Sequence, residues 1–270
     1  ISKVYEKLIN HQIYEYFNAI FLKYLCVFCQ GFSTQHCLLY MLEKIKHALD
    51  NGLHAGMLLT DLSKAFDSLS HDLLIAKLKA YGFSDLALKF VNNYLSERKQ
   101  RTKVDGYYST WRYIIYGVPQ GSILGVLLFN IYINDLFYFS ENVDMAIFAD
   151  DNAPFEFSGT LEDVINKLEI DSISLIQWFE NNYLKPNPDK WHLLLTQNNK
   201  ELTIKVDNFC ISNIQHEKLL GVYFDNDLRF KTHINKLCKK AGHKLFAIGR
   251  ISEVTSIEKR KLLMNTFILA

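Results

Sequence analysis

Two carboxylate positions stand out by where they fall along the chain. Asp61 follows the apolar run MLLT (57–60), and Asp150-Asp151 follow MAIFA (145–149). A buried strand that ends on an acidic residue holds that carboxylate at a sheet edge, well placed for metal binding. Hard divalent cations such as Mg²⁺ require oxygen ligands and accept one or two protein carboxylates alongside substrate phosphates. Two such ions about 4 Å apart can activate an attacking hydroxyl and stabilise a leaving pyrophosphate. Three carboxylates from two neighbouring strands suit that chemistry. An Asp-Asp pair in a turn also suits plain solvated turn formation, and residue type alone leaves both readings open.

The elements that must position these groups follow from periodicity and punctuation. Residues 3–17 and 33–49 carry a helical apolar pattern, the second stopped by Asp50-Asn51-Gly52. Residues 56–62 (GMLLTDL) read as a buried strand ending at Asp61. Ser70 caps a helix to Tyr81 with Gly82 as its stop, and Ser84 opens another through Leu95. Residues 100–104 and 108–115 flank Asp105-Gly106, the strongest short hairpin signal. A helix follows Gln120 to about Phe137; 145–149 is a strand, Asp150-Asp151 a tight turn, and 154–157 its return. Thr160 with Asp163 caps a long amphipathic helix to about Asn182. Residues 191–196, 202–206 and 218–224 read as strands, and helices over 231–250 and 257–269 finish the chain. Irregular alternation with hairpins between predicts an α+β fold with a mostly antiparallel sheet.

Composition sets the class. The 270 residues are 49% hydrophobic and 22% charged, which excludes a disordered or fibrous chain. The net charge of +1 conceals a division. Residues 1–110 carry 13 basic and 10 acidic side chains, 111–200 carry 5 and 12, and 201–270 carry 12 and 7. An acidic centre between basic flanks marks nucleic-acid contact, or faces whose charge serves only solubility. Five cysteines (Cys26, Cys29, Cys37, Cys210, Cys238), an odd count, predict reduced thiols in an intracellular protein. Cys26 and Cys29 have zinc-like spacing with His36 and Cys37 nearby, but no second pair completes a site, so small core residues are the favoured reading. The chain opens on Ile1, as a fragment would, with no signal-peptide pattern. Its most apolar stretch, 123–133, is too short to span a bilayer, and the protein reads as soluble.

Five longer motifs stand in order: TDLSKAFDSLSHDLL (60–74), GVPQGSILGVLLFNIYINDL (117–136), FADD (148–151), LKPNPDK (184–190) and KLLGVYFDNDLRFKTHI (218–234). Together they resemble the reverse transcriptases of non-LTR (LINE-type) retrotransposons, in particular the jockey-like group, over nearly the entire chain. The resemblance implies a polymerase right hand: partial fingers over 1–55, a palm over 56–215 with a finger-like hairpin at 98–115, and a primer-grip hairpin with the start of a helical thumb over 216–270. The palm would be an antiparallel sheet with helices packed on one face. The implied activity is RNA-directed DNA synthesis, transferring nucleotides from dNTP to a primer 3′-hydroxyl with two Mg²⁺ ions, Mn²⁺ being an alternative.

Roles carry over position by position. Asp61 and Asp150 match the metal-binding aspartates, and Asp151 the second of the pair. Lys190 matches a lysine that protonates the departing pyrophosphate, and a lysine there is equally a surface charge. Phe66 matches the aromatic that crowds the sugar 2′-position; the alternative is a core Phe at a helix start. Gly117, Pro119, Gln120 and Gly121 match the loop and helix start that touch the nascent base pair and template. Gly221 and Val222 lie in the hairpin resembling the primer grip, and Asp67 orders a local turn. Arg98, Lys99, Arg101 and Lys103 on the hairpin, and Lys236, Lys239, Lys240 and Lys244 in the acid-free run 229–250, are expected phosphate contacts. Trp178, Tyr183 and Trp191 are expected in the core.

The chain also departs from the pattern. Relatives carry Gly-Phe-Arg-Lys-Gly where this sequence has Val27-Phe28-Cys29-Gln30-Gly31, and a neutral thiol cannot make an arginine's bidentate phosphate contacts. Val126 replaces a proline. A second reading is therefore a truncated or decayed, non-catalytic nucleic-acid-binding remnant of the same fold. A two-metal nuclease would need the carboxylates but has no use for Phe66 or the Gly117 loop. Expected partners are an RNA template, a DNA primer and dNTP, with no membrane and no endonuclease segment in these residues. The expected location is intracellular, nuclear when acting, with no targeting signal in view.

Overall fold

The computed structural model describes residues 2–18, 20–21, 33–149, 151–251 and 254–268. Asp150, Cys26 and the 27–31 stretch lie outside the described residues. Helices α1 (Ser2–Phe17) and α2 (Thr34–Asp50) precede strand β1 (His54–Leu59). After it come the short strand β2 (Leu62–Ser63), one helical turn α3 (Ala65–Ser68), α4 (His71–Ala80) and α5 (Asp85–Leu95). Ser70 and Ser84 cap the last two as predicted, their hydroxyls accepting from the backbone N–H of Leu73 and Ala87.

A protruding ribbon follows, in which β3 (Lys99–Gln100) pairs with β6 (Arg112–Tyr113) and β4 (Lys103–Val104) with β5 (Tyr107–Tyr108). It closes at Asp105-Gly106, whose φ values of +47° and +87° suit a two-residue hairpin turn. Next are α6 (Ile123–Ile133), β7 (Asp144–Phe148), β8 (Asp151–Ser158), α7 (Leu161–Asn181), β9 (Lys185–Pro186) and β10 (His192–Leu195). Two hairpins, β11 (Thr203–Val206) with β12 (Phe209–Ser212) and β13 (His216–Leu219) with β14 (Val222–Asp225), lead to α8 (Lys231–Arg250) and α9 (Ile257–Phe267).

The fold class is α+β. Its sheet runs in the order β10-β1-β8-β7 with every pairing antiparallel. Strand β1 sits inside it, and alternation sends its side chains into two cores. Leu58 joins Leu193 and Leu195 in the larger core, shared with Leu128 of α6 and Val164, Leu168 and Leu175 of α7. Met57 and Leu59 join Phe155 and Leu194 in the smaller one, closed by Met41 and Ile45 of α2 and by Leu219 and Phe224. The main helical layer covers one face, and α2 with the β13–β14 hairpin covers the other. Gly56 permits close packing of α7 on the sheet, since an added Cβ would lie 2.8 Å from the side chains of Val164 on α7 and of Leu195 on β10. Among the described residues, no helix is long and apolar enough to cross a membrane.

Several boundaries differ from the sequence expectation. Residues 218–224 form a hairpin rather than one strand, because Leu220 and Gly221 both take left-handed φ, +48° and +91°. The helix expected from Gln120 starts at Ile123, where the Ser122 hydroxyl accepts from Gly125 N, and it gives way to a 3₁₀ turn over Asn134–Phe139. Asp151 begins a strand, paired with Phe148, rather than lying in a turn. Tyr183 is 65% exposed and held at φ +56°, whereas Trp178 and Trp191 are buried as expected.

One buried acid anchors the approach to the β7–β8 hairpin. Asp171, 2% exposed on α7, accepts from Asn142 N at 2.8 Å, Asn142 Nδ2 at 2.6 Å, Val143 N at 3.0 Å and Ser140 Oγ at 3.1 Å. Asp171→Ala strands two backbone donors, so urea unfolding should show a loss of about 3 kcal/mol, within the range for hydrogen bonds to charged groups. A loss below about 0.5 kcal/mol, the level of an ordinary surface change, would mean the 140–143 turn holds itself.

Candidate active site

The path from strand to site begins at Thr60, whose N–H and hydroxyl both reach the Asn152 carbonyl, at 2.9 and 3.0 Å. That clamp sets the end of β1 against the start of β8, so Asp61 and Asp151 come to one place. Ala149 occupies a left-handed φ of +59° beside them, tightening the β7–β8 connection. The chain after Asp61 is held by the LKPNPDK segment. Asn187 N and Trp191 Nε1 donate to the Asp61 carbonyl at 3.0 and 3.1 Å, while Asn187 Nδ2 reaches Asp61 Oδ2 at 3.2 Å. Lys190 Nζ lies 3.4 Å from the same oxygen.

These groups line a cavity of about 230 Å³ together with His192, Glu217 and Lys218. Of the expected catalytic set it contains Asp61, Asp151 and Lys190; Asp150 lies outside the described residues. His192 Nδ1 sits 2.6 Å from Glu217 Oε2, joining β10 to β13 at the cavity wall. Sequence reasoning missed that pair, and it missed Trp191 as a support for Asp61. A buried indole whose N–H must find an acceptor was the available signal; nothing local marks His192 and Glu217.

A second cavity, about 400 Å³, is lined by Gly117, Pro119 and Gln120 with Arg98, Gln100, Lys64 and Asp67. Gly117 has φ +81°, and an added Cβ would lie 2.7 Å from the Asp67 backbone, so both conformation and space demand glycine. The loop is tied to the segment following Asp61: Gly117 N donates to Leu69 O at 2.7 Å, Val118 N to Phe66 O at 2.9 Å, and Gln120 Nε2 to Asp67 Oδ1 at 3.2 Å. His71 Nε2 donates to the Gly117 carbonyl at 2.7 Å. Phe66 is half-buried and stacked on Phe129, ring centroids 4.3 Å apart. Gly121 lies past the loop at φ +76° with nothing within 4 Å of an added Cβ.

Other expected contacts lie apart from these two cavities. Gly221 and Val222 sit at the tip of the β13–β14 hairpin. Lys99, Arg101 and Lys103 project from the ribbon, and Lys236, Lys239, Lys240 and Lys244 from α8, whose residues are largely exposed. The Lys236 ammonium, 3.6 Å from the Tyr223 ring centroid, holds that phenol below its usual range.

The donor chemistry fits hard divalent ions. Asp61 and Asp151 offer carboxylate oxygens at one cavity wall, and Mg²⁺ is commonly held by one or two carboxylates with waters and phosphates completing its shell. Among the described residues no group of three or more His, Cys, Asp or Glu could hold a metal ion; Cys37 is buried, and Cys210 and Cys238 are exposed free thiols.

The transposon BS protein of Drosophila melanogaster, a probable RNA-directed DNA polymerase, is 26% identical across 98% of this chain and 31% of its own length. The RNA-directed DNA polymerase of the mobile element jockey from the same fly is 29% identical across 77% of this chain and 24% of its own. The chain thus spans under a third of the length of these curated relatives. Apo telomerase from Candida tropicalis, truncated from its C-terminal domain, shares the fold with a TM-score of 0.58 at 12% identity, over 86% of this chain and 45% of that one. The reverse transcriptase (RNA-dependent DNA polymerase) family profile matches residues 1–238, and the chain belongs to that family.

Proposed function

We propose that this chain is the polymerase portion of a retrotransposon reverse transcriptase, copying an RNA template by adding dNTP units to a primer 3′-hydroxyl. The observation that carries this reading is the meeting of Asp61, Asp151 and Lys190 at one cavity, in a chain of this family. Asp61, Asp150 and Asp151 would hold two Mg²⁺ ions, or Mn²⁺ in their place. When bound, such ions supply Lewis-acid activation of the attacking hydroxyl and charge neutralisation on the leaving pyrophosphate.

The chain's own residues divide the remaining work. Asp61 is oriented by Asn187, which reaches its carboxylate, and by the Trp191 indole N–H on its backbone carbonyl, so its carboxylate is preorganised. Lys190 is two-thirds exposed and its pairing with Asp61 is long, so its ammonium can leave that carboxylate and protonate the departing pyrophosphate. Phe66, braced on Phe129, would crowd a ribose 2′-hydroxyl. The Gly117–Gln120 loop, lining the second cavity, would pass close to the nascent base pair. Gly221 and Val222 would hold the primer. Arg98, Lys99, Arg101 and Lys103, with Lys236, Lys239, Lys240 and Lys244, would meet phosphates, binding that salt weakens. On this reading residues 1–55 serve as partial fingers, 56–215 as palm and 216–270 as primer grip and start of thumb.

Primer extension tests the proposal. With a labelled DNA primer on an RNA template, the wild-type chain should extend in Mg²⁺ or Mn²⁺ and stop on chelation. Asp61→Asn and Asp150→Asn should each lower kcat/KM by at least about 100-fold, the scale of several kcal/mol of lost charge stabilisation. A folded wild-type chain that binds primer–template without extending it in either ion would overturn the proposal in favour of a non-catalytic remnant. Phe66→Val should cut discrimination of dNTP over rNTP by about 10-fold or more, the usual scale for steric selection by one side chain. The ratio is internal to one variant and so insensitive to folded fraction. An unchanged ratio would return Phe66 to a packing role.

A further inference from the structure

The ribbon carries a feature that phosphate contact alone does not explain. Cross-strand register places Lys99 opposite Tyr113 and Lys103 opposite Tyr108, so each pair shares a face. Lys99 Nζ stands 4.5 Å from the Tyr113 ring centroid, and Lys103 Nζ 5.1 Å from that of Tyr108. Between them the Arg101 guanidinium lies 3.9 Å from the Tyr108 centroid and 4.5 Å from that of Trp111. One face therefore alternates cations with rings, and all three rings are more than half exposed. Residues 98–113 hold five Lys or Arg against a single acid, Asp105 at the tip.

We infer that this face binds single-stranded RNA by base stacking, as the template strand runs toward the Gly117 loop. Three observations support that occupant. Cations between rings match a polynucleotide, whose phosphates and base faces recur along each strand. A stacking surface selects single strands, because a duplex hides its base faces and offers only phosphates. The base of the ribbon also continues into the second cavity, where Arg98 and Gln100 line one wall and Gly117 and Gln120 another. The choice of RNA rests on the proposed function; the stacking mode rests on the ribbon itself. In the free chain the cations lie over the rings, with Arg101 and Lys103 both on Tyr108 and Arg101 also on Trp111. On binding, the cations turn to phosphates while bases take the ring faces, about three bases for three rings. Cation–ring contacts at exposed sites are weak and readily exchanged in this way.

Trp111 supplies a reporter, being 58% exposed where the other tryptophans, Trp178 and Trp191, are 1% and 2% exposed. Titration of the 270-residue chain with oligo(U) RNA, without metal or dNTP, should quench its tryptophan emission saturably. Labelled-oligonucleotide anisotropy should show Tyr108→Ala and Trp111→Ala each weakening single-stranded RNA binding about 10-fold, with blunt RNA duplex binding unchanged. Tyr108→Phe and Trp111→Phe, which keep a ring, should bind like wild type. Equal weakening on duplex, no weakening by the alanine variants, or preference for oligo(dT) over oligo(U) would each overturn the inference. The proposed function is judged separately. A chain that extends primers while its ring variants bind RNA normally loses only this inference; one that binds RNA through the rings but never extends a primer loses only the polymerase reading.

Discussion

Strand β1 is paired on both sides, and its register is the constraint on which the site depends. Met57 lies opposite Phe155 on one side and Leu194 on the other. A slip by one residue would exchange every side chain between the two cores, sending Leu58 toward α2 and Met57 toward α7, and would shift Asp61 by about 3.4 Å. The packing that forbids the slip is apolar and remote from the chemistry, yet it sets where three chain segments end together. Asp61 leaves β1 beside the β7–β8 turn and beside the turn that leads into β10. Thr60 and Trp191 convert that proximity into fixed geometry through contacts to Asn152 and to the Asp61 carbonyl.

Gathering carboxylates at a strand edge carries an electrostatic cost, and the chain meets it without locking the site. Lys190 and Lys218 share the cavity with Asp61 and Asp151. The Asp61–Lys190 pair is open to water on both sides, so its contribution to stability is small, on the order of 0–1 kcal/mol. A weak partner is what an exchangeable site requires, since a deeply buried pair would resist opening to a cation. The same division appears along the chain, with acid in the central 111–200 stretch and basic charge on the ribbon and α8. The near-neutral total is the sum of an acidic central stretch and basic flanks.

Much of this was legible in the residues. Apolar runs ended by Asp61 and by Asp150-Asp151 marked the strand ends, Asp105-Gly106 marked the ribbon turn, and Ser70, Ser84 and Thr160 marked helix starts. Local patterns of that kind report local geometry. What stayed hidden depends on pairings between distant residues or on single dihedral angles. The Trp191 contact to Asp61 and the His192–Glu217 pair arise only once β10 lies beside β1 and β13. The left-handed Leu220 split an apolar run into two strands with little local signal, since φ above zero is rare for leucine. Tyr183 looked like core because aromatics usually are, but its left-handed backbone at the end of α7 turns it outward. The second covered face of the sheet was likewise unreadable, because α2 is amphipathic whichever side it packs against.

Iron-directed backbone cleavage tests the central claim, that these strand ends form one cation site. Fe²⁺ replacing Mg²⁺, with ascorbate and peroxide in the presence of dNTP, generates hydroxyl radicals at the bound ion and cuts the nearest chain. Cuts beside Asp61 and beside Asp150-Asp151, suppressed together by excess Mg²⁺, are the predicted result. Cuts confined to other segments, or indifferent to Mg²⁺, would contradict it.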